Sequence, residues 1–300
     1  MSSVKENLMT ALKGVAMGAA NVIPGVSGGT IALMTGIFTR LIESIKSFDG
    51  KALKLIFTGR WAEFWKKVDG TFLTMVIIGV LVSTLTFAKL MQYLMEVSPV
   101  ALWSFFFGLI VASAIYVLRD VPKWSVWSAK ALLLGVLIGG GVCLLSPART
   151  PDQMWFIFLC GAVSICAMIL PGLSGSFVLM LMGKYEYIVT TVVADLFKDF
   201  LHNMYVMIVF MAGALVGIIS FSHLLSWLLK RFYSVSICLL SGFMIGSLVR
   251  VWPWQLALYN GTCRPVAPIG GAGEILWALL WAAVGFALVF VLEIFAASKK

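Results

Sequence analysis

An all-α polytopic membrane protein, built as an inverted-topology repeat whose halves each supply one re-entrant helical hairpin and three transmembrane helices, is the fold this sequence predicts. Three observations carry the prediction. Of the 300 residues, 61% are hydrophobic and 12% charged, with a mean hydropathy of +1.02, a balance outside that of soluble domains. Apolar runs of about 20 residues, enough to cross about 30 Å of hydrocarbon, recur along the chain. A helix-breaking motif occurs twice, in NVIPGVSGGTIALMTG at 21–36 and MILPGLSGSFVLMLMG at 168–183.

The elements follow in order. The start, MSSVKENLMT, lacks the charged, apolar and cleavage regions of a signal peptide. An apolar stretch at 8–22 stops at the first motif, where proline and clustered glycine end a helix, and a helical pattern resumes at 28–46. Each arm is short for a crossing, so 8–46 reads as a re-entrant hairpin that reaches mid-membrane and returns. Residues 51–67, KALKLIFTGRWAEFWKK, interleave Lys and Arg with Trp and Phe and are expected to form an interfacial helix on the cytoplasmic surface. Three crossings follow, at about 70–95, 98–118 and 124–146. A second hairpin occupies 154–192, and three more crossings run at about 203–230, 233–251 and 274–295. The halves are 1–146 and 147–300.

A displacement of 147 residues carries Gly14, Pro24, Gly25, Ser27, Gly28 and Gly36 onto Gly161, Pro171, Gly172, Ser174, Gly175 and Gly183. A second block, displaced by 134, pairs Phe87, Leu90, Leu94, Gly108 and Ser113 with Phe221, Leu224, Leu228, Gly242 and Ser247. The displacement shrinks because the second half has no counterpart to 51–67. Three crossings separate the hairpins, an odd number, so the halves face opposite ways. With a cytoplasmic N-terminus, sixteen of the 22 Lys and Arg fall on the cytoplasmic side and six outside, as the positive-inside rule requires, and the C-terminus is cytoplasmic too. The same bias accounts for the net charge of +9 without a nucleic-acid partner. The five cysteines show no CxxC or Cys/His ligand spacing, and no nucleotide, metal or cofactor signature is present. With His202 and His223 the only histidines, Ser27 and Ser174 lack the makings of a hydrolytic triad.

Opposed broken helices meeting near the midplane are an architecture of secondary transporters, with substrate at the repeat interface and exposure alternated by rocking one repeat against the other. A lone PGxSG could equally be a kink or a close-packing site; two copies in opposed hairpins favour function. In each motif the proline ends one half-helix, glycine lets the chain turn, and the next half-helix starts at Ser27 or Ser174. Its first amides lack partners within the helix and carry about half a positive charge, which suits phosphate. Pro24, Gly25, Ser27, Gly28, Gly29 and Thr30, with Pro171, Gly172, Ser174, Gly175 and Ser176, are therefore the candidate substrate-binding residues; plain capping is the alternative for the two serines.

Lys89 and His223 align in the repeat, as FAKL and FSHL, and complete the candidate binding set at mirrored depths. A charge near the bilayer centre costs about 2.5–3.5 kcal/mol on insertion scales; a snorkelling lysine and a satisfied histidine are the plain alternatives. Arg40, Glu43, Lys184 and Glu186, at the hairpin exits, are candidate headgroup guides, against the simpler reading of solvated helix ends. Arg250, like Arg119, Asp120 and Glu274, reads as an interfacial anchor.

The duplicated NVIPGVSGGT and ILPGLSGSF, in a chain of 300 residues, resemble the PopT-type polyprenyl-phosphate transporter family over nearly the whole length. The second copy carries Ser176 where the first has Gly29. The resemblance implies a flippase of the bacterial cytoplasmic membrane that returns undecaprenyl phosphate from the outer to the cytoplasmic leaflet, for reuse as the lipid carrier of cell-wall precursors. With no ATPase motif, a proton or sodium gradient, or the lipid's own concentration difference, would drive net movement. An inorganic anion channel or exchanger is the alternative reading, and a membrane lipid phosphatase a third.

Overall fold

The computed structural model describes residues 4–21, 27–119, 121–145, 150–151, 153–188, 192, 199–257, 263–268 and 270–297, the side chains at 85, 87–89, 91, 92, 257, 263 and 292–297 excepted. Pro24, Gly25 and the side chain of Lys89 thus lie outside the described residues, as do Asp120 and part of the second hairpin's return arm.

The chain is an all-α membrane fold. Helix α1 (Val4–Asn21) leads to the short α2 (Gly28–Met34) and α3 (Phe38–Lys46); α4 (Gly50–Phe57) and α5 (Trp61–Lys67) precede the long α6 (Gly70–Val97), α7 (Pro99–Arg119) and α8 (Val126–Leu144). Then come α9 (Met154–Ile169), α10 (Gly175–Leu181), α11 (Phe200–Arg231), α12 (Tyr233–Ser247), an antiparallel pair β1 (Gln255–Ala257) and β2 (Cys263–Pro265), and α13 (Ala272–Ala297). Helices α7, α8, α11 and α13 are each long and apolar enough to cross a membrane; α5 and the first part of α6, bent by 69°, make a fifth if taken together.

Four boundaries differ from the sequence expectation. The interfacial segment 51–67 is two helices, because Gly59 takes φ +70 and ends α4. The return arm of the first hairpin is broken between α2 and α3 by Gly36 at φ +72, and the second shows the same break at Gly183, φ +64. At 15 residues α12 spans about 22 Å, too short to cross alone. The β1–β2 hairpin that follows was not expected; strands of three residues leave too little alternation to read.

The helices pack in four close pairs, α1 with α6, α9 with α11, α7 with α13 and α8 with α12. Each seam is closed by glycine: Gly14 and Gly79 in the first, Gly161 and Gly213 in the second, Gly108 and Gly285 in the third, Gly135 and Gly242 in the fourth. A Cβ at any of these positions would press on the facing helix backbone, the small-residue contact by which helices associate in lipid, where apolar burial alone supplies little drive. Their outward faces carry exposed Leu, Ile, Val and Trp, as a lipid-facing surface does. Of the four helices long enough to cross, α7 is the most enclosed, and its Ile110 shares one core of fully buried side chains with Leu240 and Met244 of α12.

Candidate functional site

The two PGxSG segments meet. At the start of α2, extended Ser27 is the N-cap, and its Oγ accepts from the Gly29 amide at 3.1 Å. The Gly28 amide donates to Asn21 Oδ1 at 2.7 Å, and the Thr30 amide to the Ser27 carbonyl at 3.0 Å. Every one of α2's first three amides therefore has a partner, contrary to the expectation of free N–H groups here. Asn21, which ends α1 three residues before the proline, supplies the acceptor that the sequence reading missed.

The second segment fills the rest of this closure. Ser27 Oγ lies 3.1 Å from the Leu170 carbonyl, to which its hydroxyl can donate, and the Gly172 amide donates to Thr30 Oγ1 at 2.9 Å. Ser27 and Thr30 are buried to 1% and 0% exposure, so these bonds form away from water, where leaving a partner unmade costs about 1–3 kcal/mol. Gly172 takes φ +83 beneath α12, a conformation and a clearance that favour glycine.

The start of α10 is different. Ser174 is extended, and its Oγ is hydrogen-bonded to Ser176 Oγ at 2.8 Å, either hydroxyl able to donate, instead of capping the helix. The first bond to the turn is from the Val178 amide to the Ser174 carbonyl; among the described residues no acceptor reaches the amides of Gly175, Ser176 or Phe177. The Gly29/Ser176 difference has a steric cause. A Cβ at Gly29 would collide with the Ile169 carbonyl, whereas Ser176 is exposed and its side chain has room. The first copy is packed shut against the second, and the second keeps its polar groups open.

The C-terminal ends of both short helices are held by polar groups from the preceding arm: Lys13 Nζ donates to the Thr35 carbonyl at 2.8 Å, and Thr150 Oγ1 to the Met182 carbonyl at 2.6 Å. Lys184 donates to the Thr150 carbonyl at 3.2 Å and is 3% exposed, so it is a buried structural cation and not a solvated helix end. Arg40 forms a forked pair with Asp69 and reaches Glu6, and Glu43 accepts from Ser226 at 2.6 Å and pairs with Lys230. Both are engaged in ion pairs at the hairpin exits, and Glu186 is exposed there. His223 is exposed on α11 with its Nδ1 2.8 Å from the Ile219 carbonyl of its own turn. Arg250 is 8% exposed at the end of α12, with its guanidinium 4.7 Å over the ring of Phe177 in α10. The reading of Arg250 as an interfacial anchor is thereby corrected, since an anchor keeps its head in water.

Ser27 contacts only backbone groups and Ser174 the hydroxyl of Ser176; neither meets a histidine or carboxylate among the described residues. Residues 17–264 match the family described as undecaprenyl phosphate translocase-like. The chain is 40% identical over 251 residues to a polyprenyl-phosphate transporter of Vibrio cholerae serotype O1, an alignment covering 84% of this chain and 79% of that one. It is 31% identical over 254 residues to a polyprenyl-phosphate transporter of Staphylococcus aureus, covering 81% and 85%. No solved structure matches the chain.

Proposed function

The chain belongs to the undecaprenyl phosphate translocase-like family, and from that membership we propose that it is a flippase carrying undecaprenyl phosphate from the outer to the cytoplasmic leaflet of the bacterial cytoplasmic membrane. The contact between the two motifs, one closed and one with three amides unpartnered among the described residues, is the observation that carries this reading. The headgroup is received at the second motif, by the amides of Gly175 and Ser176 and the hydroxyls of Ser174 and Ser176; the first motif is its counterpart for the opposite leaflet. A phosphate dragged bare through hydrocarbon faces a charge-burial cost on the order of tens of kcal/mol, while the isoprenoid tail gains roughly 0.8 kcal/mol per buried CH₂ by staying in lipid. Only the headgroup needs a route, and a proton or sodium gradient, or the lipid's own gradient, drives it.

The halves are inverted repeats with both termini cytoplasmic. Supporting this, α2 and α10 have the same bounds displaced by 147 residues, and α7 and α12 begin 134 apart. The glycine seams exchange under the same two displacements: Gly14 maps to Gly161 by the first, and Gly79 to Gly213 and Gly108 of α7 to Gly242 of α12 by the second. Segments assigned to one face also touch one another, as Glu43 does Lys230 and Lys184 does Thr150.

Purified protein in liposomes, given a short-chain polyprenyl phosphate and chloride side by side, tests the proposal. Protein-dependent movement of the lipid without chloride flux is expected. Chloride flux without lipid movement would replace the flippase by an anion channel, and released inorganic phosphate would replace it by a phosphatase.

A further inference from the structure

The described residues leave one buried cation unanswered. Arg250 Nε and Nη1 are sealed from solvent and have no hydrogen-bond partner, and no carboxylate pairs with the guanidinium among the described residues. Among the described residues its guanidinium rests on the face of Phe177, an attraction weaker than an ion pair's hydrogen bonds. Desolvating an arginine costs several kcal/mol unless an anion and its hydrogen bonds compensate. The other buried or half-buried cations are compensated: Lys13 and Lys184 on carbonyls, Lys46 on Ser226, Lys67 on Asp49.

Phe177 is the third residue of α10, one turn from the Ser174–Ser176 hydroxyl pair. The guanidinium therefore packs on the helix that the open motif starts. No acidic side chain approaches it there among the described residues.

We infer that Arg250 is the phosphate-binding cation of the second motif, its guanidinium, with Nε and Nη1 unpartnered, donating to the oxygens of a phosphate monoester. The planar, permanently charged guanidinium matches two phosphate oxygens as a lysine cannot. This assignment deepens the lipid-translocation proposal and rests on it for the choice of a lipid, since free inorganic phosphate presents the same oxygens.

The test is binding to the purified full chain in detergent, read as the ligand-induced rise in Tm and as Kd, with farnesyl phosphate, farnesol and inorganic phosphate as probes. Farnesyl phosphate should stabilise the wild type and farnesol should not. Arg250→Met should weaken farnesyl phosphate about 30-fold, the equivalent of about 2 kcal/mol for charged hydrogen bonds, and Arg250→Lys less. The ligand-free Tm of Arg250→Met should not fall, because an uncompensated buried charge has been replaced by an apolar side chain of similar length. Equal affinity for farnesyl phosphate in Arg250→Met and wild type overturns the inference while leaving lipid translocation standing. Arginine-dependent binding of inorganic phosphate, with farnesyl phosphate no tighter and not moved in liposomes, keeps the anion site and removes the lipid. Binding of neither phosphate to the wild type removes both. If Arg250→Met does not fold, Arg250→Gln, which keeps a polar tip in the buried site, makes the same comparison.

Discussion

Gly172→Ala is the sharpest probe of the contact between the motifs. Gly172 sits at φ +83, where an L residue loses about 1–2 kcal/mol. A methyl group there would also lie 2.6 Å from the Phe243 carbonyl oxygen and 2.8 Å from Met244 Cα. Both are backbone atoms of α12, which cannot swing aside, so overpacking adds about 1–3 kcal/mol. Any shift that relieves the clash strains the bond from the Gly172 amide to Thr30 Oγ1, worth about 0.5–1.5 kcal/mol. The sum is about 4 kcal/mol. Gly36→Ala is the matched control: its φ is +72, yet nothing lies within 4 Å of the added Cβ, so only the conformational cost of about 1–2 kcal/mol applies. At about 2 °C per kcal/mol for a long chain, thermal unfolding followed by tryptophan fluorescence should show losses of about 8 °C and about 3 °C. A Gly172→Ala protein no less stable than Gly36→Ala would refute the packing of the second turn beneath α12.

Three further outcomes are expected. Ser27→Ala removes the cap on Gly29 and the bond to Leu170 and should cost about 1–2 kcal/mol, while Ser174→Ala, whose hydroxyl caps nothing, should stay within about 0.5 kcal/mol in the same unfolding assay. Gly29→Ala should lower stability by about 1–3 kcal/mol through the Ile169 carbonyl, whereas Ser176→Ala should leave Tm unchanged and weaken only headgroup binding. Asp49, at the N-terminus of α4, accepts from the Ala52 amide and pairs with Lys67, and these bonds hold its carboxyl below the ordinary value. Its contribution is present above the unfolded value of about 4 and is lost as pH falls through the lower folded value. A Tm-versus-pH scan should therefore fall below about pH 4 less steeply in Asp49→Asn, which still caps but carries no charge.

Much of this fold was legible because lipid imposes a length on its helices and the chain repeats itself. The six apolar runs all became helices, and PGVSGG and PGLSGS predicted that α2 and α10 would start at Ser27 and Ser174. What stayed hidden depends on side chains from distant segments. Nothing local tells that Asn21 turns its carbonyl oxygen onto Gly28, or that Thr30 accepts from a residue 142 positions away. The two serines look alike in sequence, yet Ser27 caps its helix and bonds to the Leu170 carbonyl while Ser174 bonds to Ser176, a difference set by tertiary neighbours. Arg250 misled for the same reason: at the end of an apolar run it reads as a headgroup anchor, and only tertiary packing buries it against Phe177.

The pairing of the long helices limits how such a molecule can move. Helix α7 is seamed to α13 and α8 to α12, so the portions before residue 146 and after residue 153 are stitched through each other. Neither can tilt as a block without unzipping two glycine seams. The other two couples, α1 with α6 and α9 with α11, lie outside those two seams and carry the short helices α2 and α10. Two separately expressed fragments, divided between α8 and α9, would each hold helices whose mates lie on the other, and would reach the native arrangement only in each other's company.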